Sequence, residues 1–307
     1  MSSRGGGAWR KLGVVPIDTS RASWAATHIA LPFIDARPDG ATRLYFSARD
    51  SGSRSRIARA ALAFDGLVPS GSIEPTPVLD LGSLGAFDDS GVTNSCLVTH
   101  GERQYLYYTG WALGVSVPFY LHAGLAISGD AGRSFQRVSP APVLERNAVD
   151  PYLTASPWVL VDNGVWRMWY VSATGWKPTA SGPTHHYHVR YAESADGLNW
   201  TRTGRVCLDF VGDEYAFGRP CVVRDDDGIY RMWYSVRGAA YRIGYAESRD
   251  GLAWSRMDDR AGIDVSSEGW DSQMIEYPVV FDRDGRRLML YNGNDYGRTG
   301  VGLAEHV

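Results

Sequence analysis

A sequence repeat of about 60 residues constrains the fold of this chain more than any other feature. Five short runs end in an aromatic residue, separated by 62, 62, 64 and 57 residues: Phe46, Tyr108, Tyr170, Tyr234 and Tyr291. A second marker lies 13 or 14 residues before each of them: Pro32, Ser95, Pro157, Pro220 and Pro278. Two independent markers that keep one phase argue against chance similarity and indicate five copies of one structural unit.

Each unit carries the sequence signature of β-hairpins. The turn sequences RDDDG before Ile229 and DRDG before Arg286 separate β-rich runs, and a second hairpin follows in YAESADGLNW and YAESRDGLAW. In the second hairpin, Asp-Gly supplies the positive φ of a tight turn. Four strands per unit, without a long amphipathic helical pattern, predict an all-β fold: a five-bladed β-propeller with four antiparallel strands per blade.

The two ends of the chain are expected to meet in one blade. The last unit stops after its third strand, GVGLAEHV, whereas AWRKLG near the amino terminus resembles the fourth-strand sequence NWTRTG. We therefore expect the strand containing Trp9 to complete the last blade and close the ring. This makes residues 1–307 a single propeller domain.

Charge and cysteine content restrict the partners and the compartment. The net charge of −3, with basic and acidic residues mixed throughout, provides no electrostatic footprint for nucleic acid or an anionic membrane. Cys96, Cys207 and Cys221 are an odd number without CxxC spacing, which favours a reducing compartment over disulfides or zinc. No apolar stretch is long enough for a signal sequence or a membrane span. We expect a cytoplasmic protein with a small, sugar-like partner, no cofactor and no metal; the oligomeric state stays open.

The first strand of every propeller blade lines the channel, so the residues before each Pro or Ser marker are candidates for the site. One position before the marker stand Leu31, Asn94, Ser156, Arg219 and Tyr277, and two before it stand Ala30, Thr93, Ala155, Gly218 and Glu276. Arg219 and Glu276 differ from their counterparts by carrying charge, which is costly on an inner strand unless it is paired or faces a wet cavity. They form either an ion pair between blades or part of a functional site, with Asn94 and Tyr277 as further candidate substrate-binding residues.

Further carboxylates lie in the loop that precedes each innermost strand. Seven positions before the marker, four units carry aspartate: Asp88, Asp150, Asp213 and Asp271. This repetition favours a structural turn role, whereas Asp89 and Glu214 are not general to the repeat and rank higher as functional groups. Glycoside cleavage uses one acid to protonate the leaving oxygen and one carboxylate to activate water or attack carbon. We take Glu276, Asp89, Glu214 and Asp150 as candidate catalytic residues and Asp271 as a candidate substrate-binding residue.

Histidine and tryptophan supply the remaining candidates. Strand alternation places His186 and His188 on one face, where they could bind substrate or a metal, although two ligands do not define a metal site. His28 is the polar exception on its strand and could bond a sugar hydroxyl or pack against a neighbouring blade. Trp176 lies outside the repeat positions and could stack on a sugar ring, or could be an ordinary packing aromatic.

The five-unit pattern, the DG-x-x-W hairpins and the sequence Glu276-Tyr277-Pro278 together resemble the five-bladed glycoside hydrolases, the arabinanase/xylosidase, invertase and mannoside-phosphorylase group. In those families a Glu-x-Pro on an innermost strand often carries the general acid, so the resemblance implies that role for Glu276. The families generally place a catalytic carboxylate on the first blade, where this chain reads SWAATHIALP with none.

These observations predict a glycosidase-like enzyme, a hydrolase, phosphorylase or transglycosidase, acting on a small glycoside or sugar-derived metabolite in the channel. Two alternatives stay open: a non-catalytic sugar-binding propeller, and a lyase or cyclase that uses the same pocket with help from His186 or His188.

Overall fold

Strands make up nearly all the regular structure of this protein. The computed structural model describes residues 7–37 and 40–307. Before and within the first two repeats the strands are β1 (Trp9–Val14), β2 (Ile17–Asp18), β3 (Thr27–Ala36), β4 (Thr42–Arg49), β5 (Ser55–Ala63), β6 (Ser70–Ile73), β7 (Gly91–His100), β8 (Arg103–Leu113), β9 (Phe119–Ser128) and β10 (Gln136–Arg137). In the last three repeats they are β11 (Thr154–Asp162), β12 (Val165–Lys177), β13 (Thr184–Ser194), β14 (Thr201–Leu208), β15 (Ala216–Arg224), β16 (Tyr230–Arg237), β17 (Tyr241–Ser248), β18 (Ser255–Arg256), β19 (Glu276–Arg283), β20 (Arg286–Asn292) and β21 (Val301–His306). A 3-10 turn occupies Asp258–Arg260 and a single helical turn, α1, occupies Asn294–Gly297.

Antiparallel pairing between consecutive strands organises every repeat. The sheet orders are β2-β6-β5-β4-β3, β10-β9-β8-β7 and β1-β21-β20-β19. The strands β11 to β18 form one further sheet, in which two antiparallel groups of four are joined by a single parallel pair, Tyr187 with Ala216. The all-β prediction is therefore confirmed.

The aromatic markers form the centre of the sheets. Phe46, Tyr108, Tyr170, Tyr234 and Tyr291 are all fully buried. They lie on the second strand of each repeat. This strand has a strand neighbour on both edges and packs on both faces, so its sequence is a nearly continuous run of apolar residues. The Asp-Gly turns also form as predicted, with φ of 74° at Gly197 and 76° at Gly251.

A β-bulge interrupts each innermost strand at its Pro or Ser marker. The register with the second strand shifts around this position in β3, β7, β11, β15 and β19. In four of the five strands the residue before the marker has positive φ: Leu31 (52°), Ser156 (47°), Arg219 (35°) and Tyr277 (53°). The proline that follows has no N–H to donate, so it fits a position where ladder pairing is already broken.

Hydrogen bonds at these bulges connect successive repeats. In four of them, a backbone N–H of the innermost strand donates to a side chain on the second strand of another repeat. The bonds join Asn94 to Ser47 (2.8 Å), Ser156 to Thr109 (2.9 Å), Tyr277 to Ser235 (2.7 Å) and Leu31 to Asn292 (2.8 Å). The last of these connects the first repeat to the fifth.

The amino-terminal strand completes the sheet of the last repeat. β1 pairs antiparallel with β21, with Trp9 opposite His306. The Lys11 ammonium also donates to the Asp271 carboxylate in the loop before β19 (2.7 Å). The predicted pairing of this segment with the last repeat is therefore observed.

Two further findings concern the sequence expectations. Cys96, Cys207 and Cys221 are buried free thiols. Within the described ranges, no helix has the length and apolar character needed to cross a membrane.

Candidate functional site

A cavity of about 270 Å³ opens where the innermost strands of the repeats approach one another. Four of the five residues that stand two positions before a marker line it: Ala30, Thr93, Ala155 and Gly218. The fifth residue of this set is Glu276, at the start of β19. Small side chains at four equivalent positions leave the space, and the fifth position supplies a carboxyl group beside it.

One wall of the cavity is formed by arginine and tyrosine. Arg49 and Arg237 line it together with Tyr241, Tyr277 and Tyr296. The Arg237 guanidinium lies 5.3 Å from the centre of the Tyr241 ring and 5.8 Å from that of Tyr296, at cation–π distance. No carboxylate in the described part of the chain forms an ion pair with Arg49 or Arg237, and the Arg237 Nε is buried without a hydrogen-bond partner. This wall presents positive charge to a ligand.

Another part of the cavity lining is apolar. It consists of Trp111 and Phe119 on one hairpin, together with Leu121 and Val171. The Phe119 ring centre lies 5.0 Å from that of Trp111 and 5.3 Å from that of Trp176. The candidate Trp176 contacts this apolar wall but is not among the residues that line the cavity, so its stacking on a sugar ring stays a prediction.

Glu276 is the acidic group of the site. It is fully buried, and neither carboxyl oxygen has a hydrogen-bond partner of good geometry. Burial raises the pKa of Glu276 well above its usual value, and the lowering effects of Arg237, Tyr277 and Arg49 only partly offset this. Such surroundings favour the protonated form of the carboxyl group, which is the form that can donate a proton.

Arg219 does not neutralise Glu276. Both residues belong to the described chain, and no ion pair joins them. The Arg219 Nη2 donates instead to the Ser95 carbonyl (2.6 Å), and its guanidinium lies 5.9 Å from the Trp158 ring centre. Burial lowers the pKa of Arg219 to about 10. The inter-blade ion pair left open by the sequence is therefore not formed.

The histidine that faces the cavity is His185, not the expected His186 or His188. His185 and Tyr187 line the cavity, with ring centres 4.6 Å apart and nearly parallel planes. His186 and His188 do share a face, but it is the other one, where both contact Phe210. Burial is the main cause that lowers the pKa of His185 to about 4, so its imidazole is neutral at physiological pH. Its Nε2 is buried and has no hydrogen-bond partner within the protein.

The repeated aspartates make repeated structural contacts. At three of the five aromatic markers the tyrosine donates its hydroxyl to the aspartate 20 residues earlier, in the pairs Tyr108–Asp88 (2.9 Å), Tyr170–Asp150 (2.9 Å) and Tyr291–Asp271 (3.0 Å). Asp150 also accepts from Ser172 (2.6 Å) and from Arg190 and Arg202 (3.0 Å each). Neither Asp150 nor Asp271 is among the residues that line the cavity.

The other two candidate carboxylates also lie outside the cavity lining. Asp89 accepts from the Gly85 amide and the Ser90 hydroxyl (2.9 and 2.8 Å), and Glu214 holds both terminal nitrogens of Arg256 (2.7 and 2.8 Å). Their catalytic roles stay predictions, as do the catalytic role of Asp150 and the substrate-binding role of Asp271. Among the described residues, no group of three or more His, Cys, Asp or Glu side chains is placed to hold a metal ion.

Two candidate binding residues lie near the cavity without lining it. Asn94 is fully buried, and its amide nitrogen donates to the Leu31 carbonyl (3.1 Å), which is a contact between the first two repeats. His28 lies close to Arg49, and burial lowers its pKa to about 4. Their proposed contacts with substrate also stay predictions.

Arg49 and Arg237 were missed by the sequence reasoning, although the repeat contains the signal that identifies them. Three positions after the aromatic marker the chain carries Arg49, Trp111, Ala173, Arg237 and Asn294. Comparing this position across the repeats, as was done for the innermost strands, would have singled out both arginines and Trp111 of the apolar wall.

The fold is that of glycoside hydrolases. A thermostable family-43 glycoside hydrolase superposes with a TM-score of 0.66 at 18% identity, covering 94% of this chain and 91% of that one. A family-43 enzyme from Xanthomonas citri superposes with a TM-score of 0.65 at 14% identity, covering 96% and 91%. The structural resemblance that the sequence indicated is confirmed, and identities this low establish the fold alone.

Sequence comparison identifies relatives at higher identity. It is 46% identical to two proteins of Mycobacterium tuberculosis, Uncharacterized protein Rv1502 of strain H37Rv and Uncharacterized protein MT1551 of strain CDC 1551, over 97% of this chain and 98% of each relative. The chain belongs to the family of these two mycobacterial proteins. It is also 27% identical to a 1,2-beta-oligomannan phosphorylase of a Thermoanaerobacter species, over 51% of this chain and 52% of that protein. No family model matches the sequence.

Proposed function

We propose that this protein is a glycosidase-like enzyme that cleaves a small glycoside in the cavity, with Glu276 as the general acid. The observation that carries the proposal is the buried carboxyl of Glu276 next to the cavity-lining Tyr277, where burial raises its pKa and favours the protonated form. A general acid must hold its proton at the working pH and release it to the leaving oxygen as the glycosidic bond breaks.

The group that receives the sugar is proposed to be phosphate. Hydrolysis by two carboxylates needs a second acid besides Glu276. Among the described residues that line the cavity there is no aspartate or glutamate, and Glu276 itself adjoins the lining through its neighbour Tyr277. Arg49 and Arg237, which lack carboxylate partners, can instead hold an anion. The phosphate oxygen then bonds to the anomeric carbon while the carbon–oxygen bond to the leaving alcohol breaks. That alcohol takes the Glu276 proton, and Glu276 regains a proton from solvent.

The relative named 1,2-beta-oligomannan phosphorylase is consistent with this chemistry. Its partial and distant match leaves the sugar and the linkage open. A sugar-binding protein without turnover, and a lyase or cyclase acting on a sugar-derived metabolite, are the alternatives that the experiment below separates.

The test compares wild-type protein with Glu276→Gln and, as a matched control, Glu268→Gln in an exposed loop. A panel of disaccharides and phenyl glycosides is incubated with and without inorganic phosphate, and sugar 1-phosphate is measured by ³¹P NMR. Phosphate-dependent product should form with wild type and Glu268→Gln and fall about 10²-fold or more with Glu276→Gln. Full activity of Glu276→Gln would refute its role. Sugar binding without any product would favour the binding protein.

The overall arrangement proposed for this enzyme is a single five-bladed propeller, residues 1–307, closed by β1. The pairing of β1 with β21 and the bond from the Leu31 amide to Asn292 support closure, because both connect the start of the chain to its last repeat. Three buried free thiols are compatible with work in the cytoplasm on a small-molecule carbohydrate.

A further inference from the structure

The two walls of the cavity come from different repeats and have different chemistry. Arg49 on β4, Arg237 on β16 and Tyr277 on β19 form the polar wall, beside Glu276. Phe119 on β9 and Val171 on β12 belong to the apolar wall. A substrate that consists only of sugar rings would match the first wall but not the second.

Two hydroxyl groups near the apolar wall, those of Thr93 and Thr109, are already bonded within the protein. The Thr93 hydroxyl accepts from the Trp111 indole N–H (3.2 Å) and donates to the Thr109 carbonyl (3.4 Å). The Thr109 hydroxyl oxygen accepts from the Ser156 amide (2.9 Å). Sugar hydroxyls that face these two groups would therefore lose their hydrogen bonds to water without strong replacement.

The aromatic rings of this wall form a packed cluster. The Phe119 ring contacts Trp111, Trp176 and His185, with ring centres 5.0, 5.3 and 5.6 Å away. The three pairs are tilted or edge-on, so the rings pack on one another as in a protein core. Such a surface favours another hydrocarbon group in contact with it.

The size of the cavity limits what it holds. A protein cavity of roughly 150 Å³ binds benzene. The volume of about 270 Å³ therefore accommodates about two six-membered rings. Because one wall is polar and the other is apolar, we expect one of these rings to be a sugar and the other to be a hydrocarbon.

We propose that the substrate is a glycoside of a single sugar whose aglycone is one apolar ring, aromatic or alicyclic. The sugar binds against Tyr277, next to the phosphate held by Arg49 and Arg237, and the aglycone binds against Phe119 and Val171, so the glycosidic oxygen lies between Tyr277 and Phe119. This inference rests on the function proposed above, because it names the substrate class of the same cavity. It predicts that a short oligosaccharide is a poorer ligand than a glycoside with an apolar ring.

The test measures binding with uncleaved analogues, so it does not depend on turnover. Phenyl and methyl 1-thioglycosides of mannose, glucose, galactose, xylose and arabinose are titrated into wild-type protein by calorimetry. For at least one sugar, the phenyl compound should bind about tenfold or more tightly than the methyl compound. The same sugar in a thio-linked disaccharide should bind more weakly than the phenyl compound.

Two variants test whether the preference for the phenyl compound depends on Phe119. Phe119→Ser should remove the phenyl advantage, whereas Phe281→Ser, a matched change on β19 outside the cavity lining, should retain it. Equal binding of phenyl and methyl compounds, tighter binding of the disaccharide, a phenyl advantage that survives in Phe119→Ser, or no binding by any of the compounds would each overturn the inference. A phenyl advantage in a protein that makes no sugar phosphate would leave the inference standing and refute the proposed function.

Discussion

The buried carboxyl of Glu276 predicts a pH-dependent change in stability that Glu276→Gln removes. A carboxyl has its usual pKa, 4.5, in the unfolded chain, whereas burial raises the pKa of Glu276 well above this in the folded protein. Below pH 4.5 both states are protonated and the contribution of the acid to stability is fully present. As the pH rises towards the folded pKa, the unfolded chain releases the proton and the folded protein does not, so stability is lost.

The size of this effect follows from linkage. Each pH unit between the two pKa values costs wild type about 1.4 kcal/mol of unfolding free energy, so the loss grows as the pH rises from the unfolded towards the folded pKa. The amide of Glu276→Gln does not titrate, so the variant gains stability relative to wild type over the same interval. The difference should be least at pH 4, where the acid and the amide are both neutral.

Urea unfolding of wild type, Glu276→Gln and the exposed control Glu268→Gln at pH 4, 5, 6 and 7 measures this difference. The control should follow wild type at every pH, because its side chain is exposed and its charge is screened by water. A difference between wild type and Glu276→Gln that does not change with pH would refute the reasoning. It would mean that Glu276 ionises alike in the folded and unfolded states and is not held as the neutral acid that the proposed mechanism requires.

Three further outcomes follow from the contacts described. Asp150→Asn leaves Arg190 and Arg202 without their carboxylate and should lower the unfolding free energy by about 3 kcal/mol in urea; a stable but inactive variant would instead support its catalytic role. Deleting residues 1–13 removes most of β1 and exposes the edge of β21, so the melting temperature should fall markedly or the protein should aggregate, and an unchanged melting temperature would contradict this. Because the pKa of His185 is lowered to about 4, calorimetric binding of the neutral thioglycosides should stay constant from pH 6 to 8, and a transition near pH 6.5 assigned to His185 would show that its pKa is not lowered.

Repeated positions were the part of the structure most open to prediction from sequence. Aromatic markers repeat because the second strand of every repeat has the same buried surroundings, and Asp-Gly repeats because each tight turn needs positive φ. The comparison of equivalent positions also singled out Glu276. An acid that stands where the other repeats have Ala, Thr, Ala and Gly cannot serve a role common to all repeats.

Features set by strand phase and by loop paths were harder to predict. Alternation correctly grouped His186 with His188, but it did not determine which face of β13 meets the cavity, and a shift of one residue exchanges the two faces. Asp89 and Glu214 lie in loops, where sequence spacing does not determine the direction of a side chain. Their hydrogen bonds to neighbouring backbone and to Arg256 depend on tertiary contacts that no local pattern encodes.

The cavity and the acid beside it have one structural origin. Five equivalent positions carry four small residues and Glu276, and a large side chain at any of the four would fill the cavity beside the acid. On the second strands, Arg49 and Arg237 share one repeat position with Trp111, so a single position supplies cations to one wall and an aromatic ring to the other. Substitutions at a few equivalent positions therefore suffice to build an asymmetric site from similar repeats. The buried aspartate–tyrosine pairs that recur in three repeats stabilise the structure that the repeats share.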